Sequence, residues 1–290
     1  MPGRQFAAKK VIPHPAKRLI KASVLFMALA GIGQAQANEL QDVKAKGSLV
    51  CGTLATSDPM GFTDPKTRKV VGFDVDICAA VAKHLGVKME QKTLTVDARI
   101  PELQVGRVNI LSAALGYTHD RAKQIDFTSS HFQNPITVLT LATSAHSKMD
   151  DLAGKRIGMT SGSTAEYWLR KKYPNITIST FQDMPSAFMA FQQNKVSGLA
   201  GSQTSEQRYL QAGKGKFVIV DEPINWEPQA LGIKKGEPQF LAAVNNALAD
   251  MEKDGETDAI WNKWLGEESI YKMPRVKKLV SIEVVDKSMN

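Results

Sequence analysis

From residue 47 onward, short apolar runs alternate with segments in which apolar residues return every three or four positions. Residues 48–54 are the first such run and predict a strand. Ile77, Val81 and Leu85 then recur every four residues with Cys78 alongside. Asp74 suits the N-cap and Gly86 the stop, so an amphipathic helix is expected here. Strands are expected over 87–94 and 108–113, with a helix carrying Pro101 and Leu103 between them. The series resumes with strands over 155–159, 176–181, 196–200 and 217–220. Helices over 162–172, from Pro185 through Phe188 and Phe191, and up to Ala212 separate them. Strands alternating with helices of this length predict parallel sheets covered on both faces.

Two such series, on either side of a linker at 142–154, predict two α/β lobes. A later stripe of Phe240, Leu241, Val244, Leu248 and Met251, then Trp261 and Trp264, has no strands of its own to cover. These helices are expected to return to the first lobe. Residues 267–290 form an extension with Lys277, Lys278 and an apolar run over 279–285, which reads either as a packed edge strand or as a tail.

The 290 residues suit two lobes of ordinary size, and 43% hydrophobic with 23% charged residues is a globular composition. The net charge of +8 suggests nucleic acid until the charges are located. Arg4, Lys9, Lys10, Lys17, Arg18 and Lys21 fall in the first 37 residues with no acid among them, leaving +2 for the rest. A body that weakly basic carries no phosphate-tracking stripe. The same leader reads as a secretory signal: a basic stretch, a 12-residue apolar run over 22–33, then Ala35-Gln36-Ala37. Cleavage is expected after Ala37, with export to the periplasm. The apolar run is too short to cross a bilayer, which takes roughly 20 residues.

Export leaves Cys51 and Cys78, which form one disulfide or stay as two buried thiols. Neither they nor His84, His119, His131 and His146 have metal-ligand spacing. No nucleophile elbow or phosphate-binding Gly-rich loop appears, so no catalytic residue, metal or cofactor is expected.

Three ordered segments then carry a resemblance. They are Gly72-Phe-Asp-Val-Asp-Ile-Cys-Ala-Ala-Val-Ala-Lys83, Arg99-Ile-Pro-Glu-Leu-Gln-Val-Gly-Arg-Val-Asn109 and Tyr117-Thr-His-Asp-Arg-Ala-Lys-Gln-Ile-Asp-Phe127. With Gly162-Ser-Thr and the closing Trp261-Asn-Lys-Trp-Leu-Gly266, the chain over about 47–266 resembles solute-binding protein family 3, the polar amino-acid-binding proteins of bacterial ABC transporters. The resemblance implies a two-lobed periplasmic-binding-protein fold (type II), with parallel-rich sheets and two hinge crossings. Lobe 1 would be 38–142 with return helices over 233–266, lobe 2 would be 143–232, and 267–290 would be an extension. It also implies a monomer that binds an amino acid or related small carboxylate by hinge closure and docks on a membrane permease served by an ATPase.

By the same resemblance, Arg121 of Thr118-His-Asp-Arg121 binds the solute's carboxylate, for which a planar guanidinium offers two parallel donors. Thr118 adds a hydroxyl, and Gly116 allows close approach. Ala113 and Ala114 stand where many members have Ser or Thr, leaving backbone donors only. Ser161, Gly162, Ser163 and Thr164, at a helix start, would complete carboxylate binding from lobe 2, and Phe62 matches an aromatic wall. One departure stands out. The strand over 196–200 usually runs into an Asp for the solute's ammonium, and here Gly201 and Ser202 follow. Asp58, Asp97 and Glu227 are the substitute acids, unless the solute is not an ordinary α-amino acid. Two alternatives to transport are a cyclohexadienyl dehydratase-like enzyme on the same fold and a soluble sensor lobe.

Overall fold

The computed structural model describes residues 38–144, 146–275 and 278–289. The leader expected over 1–37 lies outside the described residues. The chain opens with α1 (Glu39–Lys46), β1 (Ser48–Thr53), β2 (Thr56–Ser57), β3 (Gly61–Thr63), β4 (Val70–Val71) and α2 (Phe73–His84). Next come β5 (Lys88–Thr93), α3 (Arg99–Gln104), β6 (Ile110–Leu111), α4 (His119–Ala122) and the long β7 (Ile125–Leu141). The following stretch holds β8 (Arg156–Thr160), α5 (Thr164–Lys172), β9 (Thr177–Phe181), α6 (Met184–Gln192), β10 (Gly198–Ser202), α7 (Gln203–Ala212) and β11 (Phe217–Ile219). Last are β12 (Asn225–Lys234), α8 (Pro238–Lys253), α9 (Glu256–Trp264) and α10 (Ile282–Ser288).

Nine of the described strands join in one sheet, ordered β5-β1-β6-β12-β7-β10-β8-β9, with β11 also pairing with β7. The outer pairs are parallel: β1 with β5 and β6 at one end, β8 with β9 and β10 at the other. β7 and β12 run antiparallel through the middle, with register shifts near Ala230. Their length links the two parallel ends, and β-branched residues such as Ile136, Thr137 and Val138 suit β7 to its buried, pleated setting.

The apolar core falls into clusters that follow this division. Leu49, Phe73, Ile77, Val81, Phe132, Phe240, Val244, Leu248 and Trp261 pack together beside β1. Ile136, Ile157, Met159, Trp168 and Leu169 pack beside β8. The α8 stripe closes on α1, α2 and β7 because its apolar positions recur on one face. A disulfide joins Cys51 on β1 to Cys78 on α2, with Cα atoms 6.4 Å apart.

Three details differ from the sequence reading. The strand expected over 108–113 shrinks to β6, because the chain turns at Ala114 (φ 47°) to build a loop. Asp74 does not cap α2. Gly72 holds the N-cap, and the Asp74 carboxylate is buried, accepting the Ala114 N–H at 2.6 Å. The apolar run over 279–285 is neither an edge strand nor a free tail. Val280 exchanges two backbone hydrogen bonds with Ser130 of β7, at 2.7 and 2.9 Å, and α10 follows. Val285 of α10 is buried beside Tyr117 and Phe127, and Met289 packs against both the cluster around Ile157 and the one around Phe127.

Candidate functional site

In a βα series, helix N-termini gather at the carboxyl ends of parallel strands, which is where such folds place ligands. Here α5, α6 and α7 begin after β8, β9 and β10, each capped by its own side chain. Ser163, Asp183 and Ser202 accept the backbone N–H of Glu166, Ser186 and Ser205. These starts border a cavity of about 70 Å³, lined from that end by Thr160, Ser163, Thr164, Ala165, Asp183, Met184, Gly201, Ser202 and Ser205. From the other side come Leu54, Thr56, Ser57, Val96, Arg99 and Ala114, with Glu227 and Gln229 of β12 between. This volume is well below the roughly 300–1,000 Å³ of drug-sized pockets.

Arg121 is half-buried, and its guanidinium is held by two backbone carbonyls. Its Nη1 donates to Gly116 O at 2.6 Å and its Nη2 to Gly162 O at 2.8 Å, reaching the turn before α5. Thr118 caps α4, its hydroxyl accepting the Arg121 N–H, and so fixes the turn that carries the guanidinium. Gly116 pairs with Gln229 in an isolated bridge, and a β-carbon there would overlap the Glu227 side chain, so any larger residue would have to displace that carboxyl.

Arg99 is the residue that the sequence reading passed over. It is 3% exposed. Its Nε donates to Val96 O at 2.7 Å, and its Nη1 to Ala113 O and Ala114 O at 2.8 and 2.9 Å. Its Nη2 reaches Gly162 O at 3.3 Å, so both guanidinium groups meet on one carbonyl. Among the described residues neither arginine forms a salt bridge to a carboxylate. Burial, then the neighbouring Arg121, pulls Arg99 down to about 9, which leaves it charged at neutral pH. A buried cation, Arg99, and a half-buried one, Arg121, both held by carbonyl dipoles, favour an anion beside them. Arg99 in the first turn of a short helix reads as a solvated surface charge, and only the distant carbonyls of 113, 114 and 162 bury it.

The other expected site residues divide. Ala114, Ser163, Thr164, Gly201 and Ser202 line the cavity. Gly162 lies at its edge: its carbonyl takes both arginines, while its N–H is taken by Glu166 Oε2 at 2.9 Å. Arg121, Thr118, Gly116, Ser161 and Phe62 are not among the lining residues; the first three stand next to the lining through Arg99, Glu227 and Gly162. The Ser161 N–H pairs with Phe181 O, and Phe62 meets Trp264 edge-on with ring centroids 5.8 Å apart. A β-carbon on Gly201 would run into the Met184 methyl, with Glu206 beyond it. Of the substitute acids, Glu227 lines the cavity. Asp58 is paired with Arg208 at 3.2 Å and with the Tyr271 hydroxyl at 3.1 Å, and Asp97 accepts the Thr95 hydroxyl.

Burial raises Glu227, against the pull of the Gln229 hydrogen bond and the two arginines. It also raises Asp74 to about 7, offset in part by the Ala114 N–H and by Arg99. Asp74 therefore stays protonated in the fold over a range where the unfolded chain, near 3.8, has released its proton. Its contribution to stability is full below pH 4 and is lost as pH rises toward 7, by at most about 1.4 kcal/mol per pH unit. Asp74→Asn is expected to gain on the wild type as pH goes from 5 to 7 in urea unfolding. A pH-independent gap between the two proteins would contradict this.

The sequence profile of the bacterial extracellular solute-binding proteins, family 3, matches residues 49–267. The L-cystine-binding protein TcyJ of Escherichia coli strain K12 is 26% identical over 234 residues, covering 78% of this chain and 86% of that protein. Among solved structures, an ancestral arginine-binding protein bound to glutamine superposes with a TM-score of 0.72 at 34% identity, covering 76% of this chain and 99% of that one. An ancestral amino acid-binding protein described as a precursor of cyclohexadienyl dehydratase gives a TM-score of 0.72 at 31% identity, covering 78% and 99%. With more than half its length matched, and with the mixed α/β architecture of those structures, this chain belongs to the bacterial extracellular solute-binding proteins, family 3.

Proposed function

We propose that the protein is the substrate-binding component of an ABC transporter, holding an amino acid or related small carboxylate and passing it to a membrane permease with its ATPase. The observation that carries this reading is the meeting of Arg121 and Arg99 on Gly162 O beside the start of α5. A solute carboxylate would take over the role of that carbonyl. The guanidinium groups would hold it from one side and the first N–H groups of α5 from the other.

In this reading residues 38–142 and 233–290 form one lobe, 143–232 form the other, and β7 and β12 are the hinges. Solute selects the closed state because only there do both lobes touch it, and a swing from 1:99 to 99:1 takes about 5.5 kcal/mol of preference. The protein works as a monomer in the periplasm, after removal of the leader at Ala37.

Mass spectrometry of gently purified protein, followed by calorimetry across the L-amino acids and L-cystine, tests this reading. Saturable binding of at least one of them is expected, and none binding would refute it. A second reading, a dehydratase, draws on the ancestral relative and on Glu227, a buried acid with its proton affinity raised, as a general acid requires. Aromatic product formed from prephenate or L-arogenate by the purified protein would establish that reading instead.

A further inference from the structure

Two carboxylates line the cavity: Asp183, whose Oδ1 accepts the Ser186 N–H at the start of α6, and Glu227 of β12, which stands free of any such helix cap. Arg99 and the opening of α5 present N–H groups, with Arg121 next to them on Gly162 O. The central strand β12 presents oxygens. Glu227 Oε1 accepts the Gln229 Nε2–H at 2.6 Å, which turns Gln229 Oε1 away as a second acceptor. That oxygen is buried without a partner, on a residue 1% exposed that lines the cavity. Asn134 stands opposite Glu227 in the β7–β12 register, so the two side chains share a face. Its Nδ2–H donates to Thr204 Oγ1, and its Oδ1 is also buried and unpartnered. Unpaired buried acceptors are unfavourable, and a run of them beside a carboxylate suits a cationic donor.

We propose that Glu227 and Gln229, with Asn134 behind them, form the subsite for the solute's α-ammonium group, in place of the acid that is missing at Gly201. This assignment rests on the reading of the protein as an amino-acid binder. It gives a zwitterion complementary ends: carboxylate toward the arginines and α5, ammonium toward β12. It also places cation recognition on a strand that runs through the middle of the sheet, where no movement of the parallel ends is needed to form it.

The test uses the full chain and the L-amino acid that binds most tightly, beside its des-amino analogue, the same carboxylic acid with hydrogen replacing the amino group. Calorimetry is run on the wild type, Glu227→Gln and Glu227→Asp, with circular dichroism to confirm folding. The wild type is expected to prefer the amino acid by at least about 30-fold, the loss typical of an unpaired buried charge. Glu227→Gln is expected to bring the two ligands within about 3-fold while holding the des-amino acid as the wild type does, and Glu227→Asp to restore most of the preference. An unchanged preference in Glu227→Gln would overturn the subsite and leave the transport reading standing. So would a wild type that binds both ligands equally, a result that stands even if the variants fail to fold. Failure of the wild type to bind any amino acid would overturn both.

Discussion

Arg121→Ala is expected to weaken binding of the best L-amino acid by about 100-fold or more, because removing one partner of a buried charge pair typically costs 2–5 kcal/mol. The loss should appear in affinity and not in the fold. Arg121 is half-buried on the short turn of α4 and supports no core cluster, its two bonds going to the carbonyls of Gly116 and Gly162. Arg121→Lys is expected to recover only part of the affinity, since an ammonium offers no parallel pair of donors to a carboxylate. Calorimetry beside thermal melts separates the two effects. An Arg121→Ala protein that binds within about 3-fold of the wild type would mean that the carboxylate lies elsewhere, with Arg99 the next place to look.

The second large effect is on stability. Cys51 and Cys78 are 27 residues apart in sequence, and their bond ties β1 to α2 inside the cluster that holds Phe73, Ile77 and Phe240. Replacing both by Ser is expected to remove about 2–4 kcal/mol, most of it through the freer unfolded chain. For a chain of this size that lowers Tm by about 5–15 °C. Both sulfur atoms sit in residues with no exposed surface, so the hydroxyls of the double variant add to the loss. Reductant should lower the wild-type Tm toward that of the double variant. Equal melting of the wild type with and without reductant would show that the bond is absent from the purified protein.

How much of this was legible in the sequence depended on how local the cause was. The helices beginning near Asp183 and Pro238 were readable, because a Pro in the first turn and an apolar stripe are properties of the segment itself. The order of strands was not. β12 lies beside β6 although 113 residues separate Leu111 from Asn225, and nothing within either segment specifies that pairing. Arg121 stands out in the sequence through a motif, while its bonds to the Gly116 and Gly162 carbonyls are visible only in the fold. Arg99 lies in the segment 99–109, but the sequence gives no sign of its role, because only Val96 among its partners is local and the others come from 113, 114 and 162. Asp74 failed as a cap for a related reason: its carboxylate finds the Ala114 N–H, 40 positions away, and that tertiary bond outweighs the local preference. Gly201 departs from the resemblance at the position expected to hold an acid, and only the β7–β12 ladder brings Glu227, Gln229 and Asn134 to one face.

The segment that follows α9 offers a practical handle. Its backbone clips onto β7 at Ser130, its buried Val285 seats α10, and Asp286 reaches Tyr117 and His119, the neighbours of the turn that carries Arg121. The outward face of α10 carries Val284, 57% exposed, and among the described residues no cysteine thiol is free. A single Val284→Cys can therefore take a fluorescent dye without competition, so that solute capture is followed optically from α10 while the cavity keeps its native side chains.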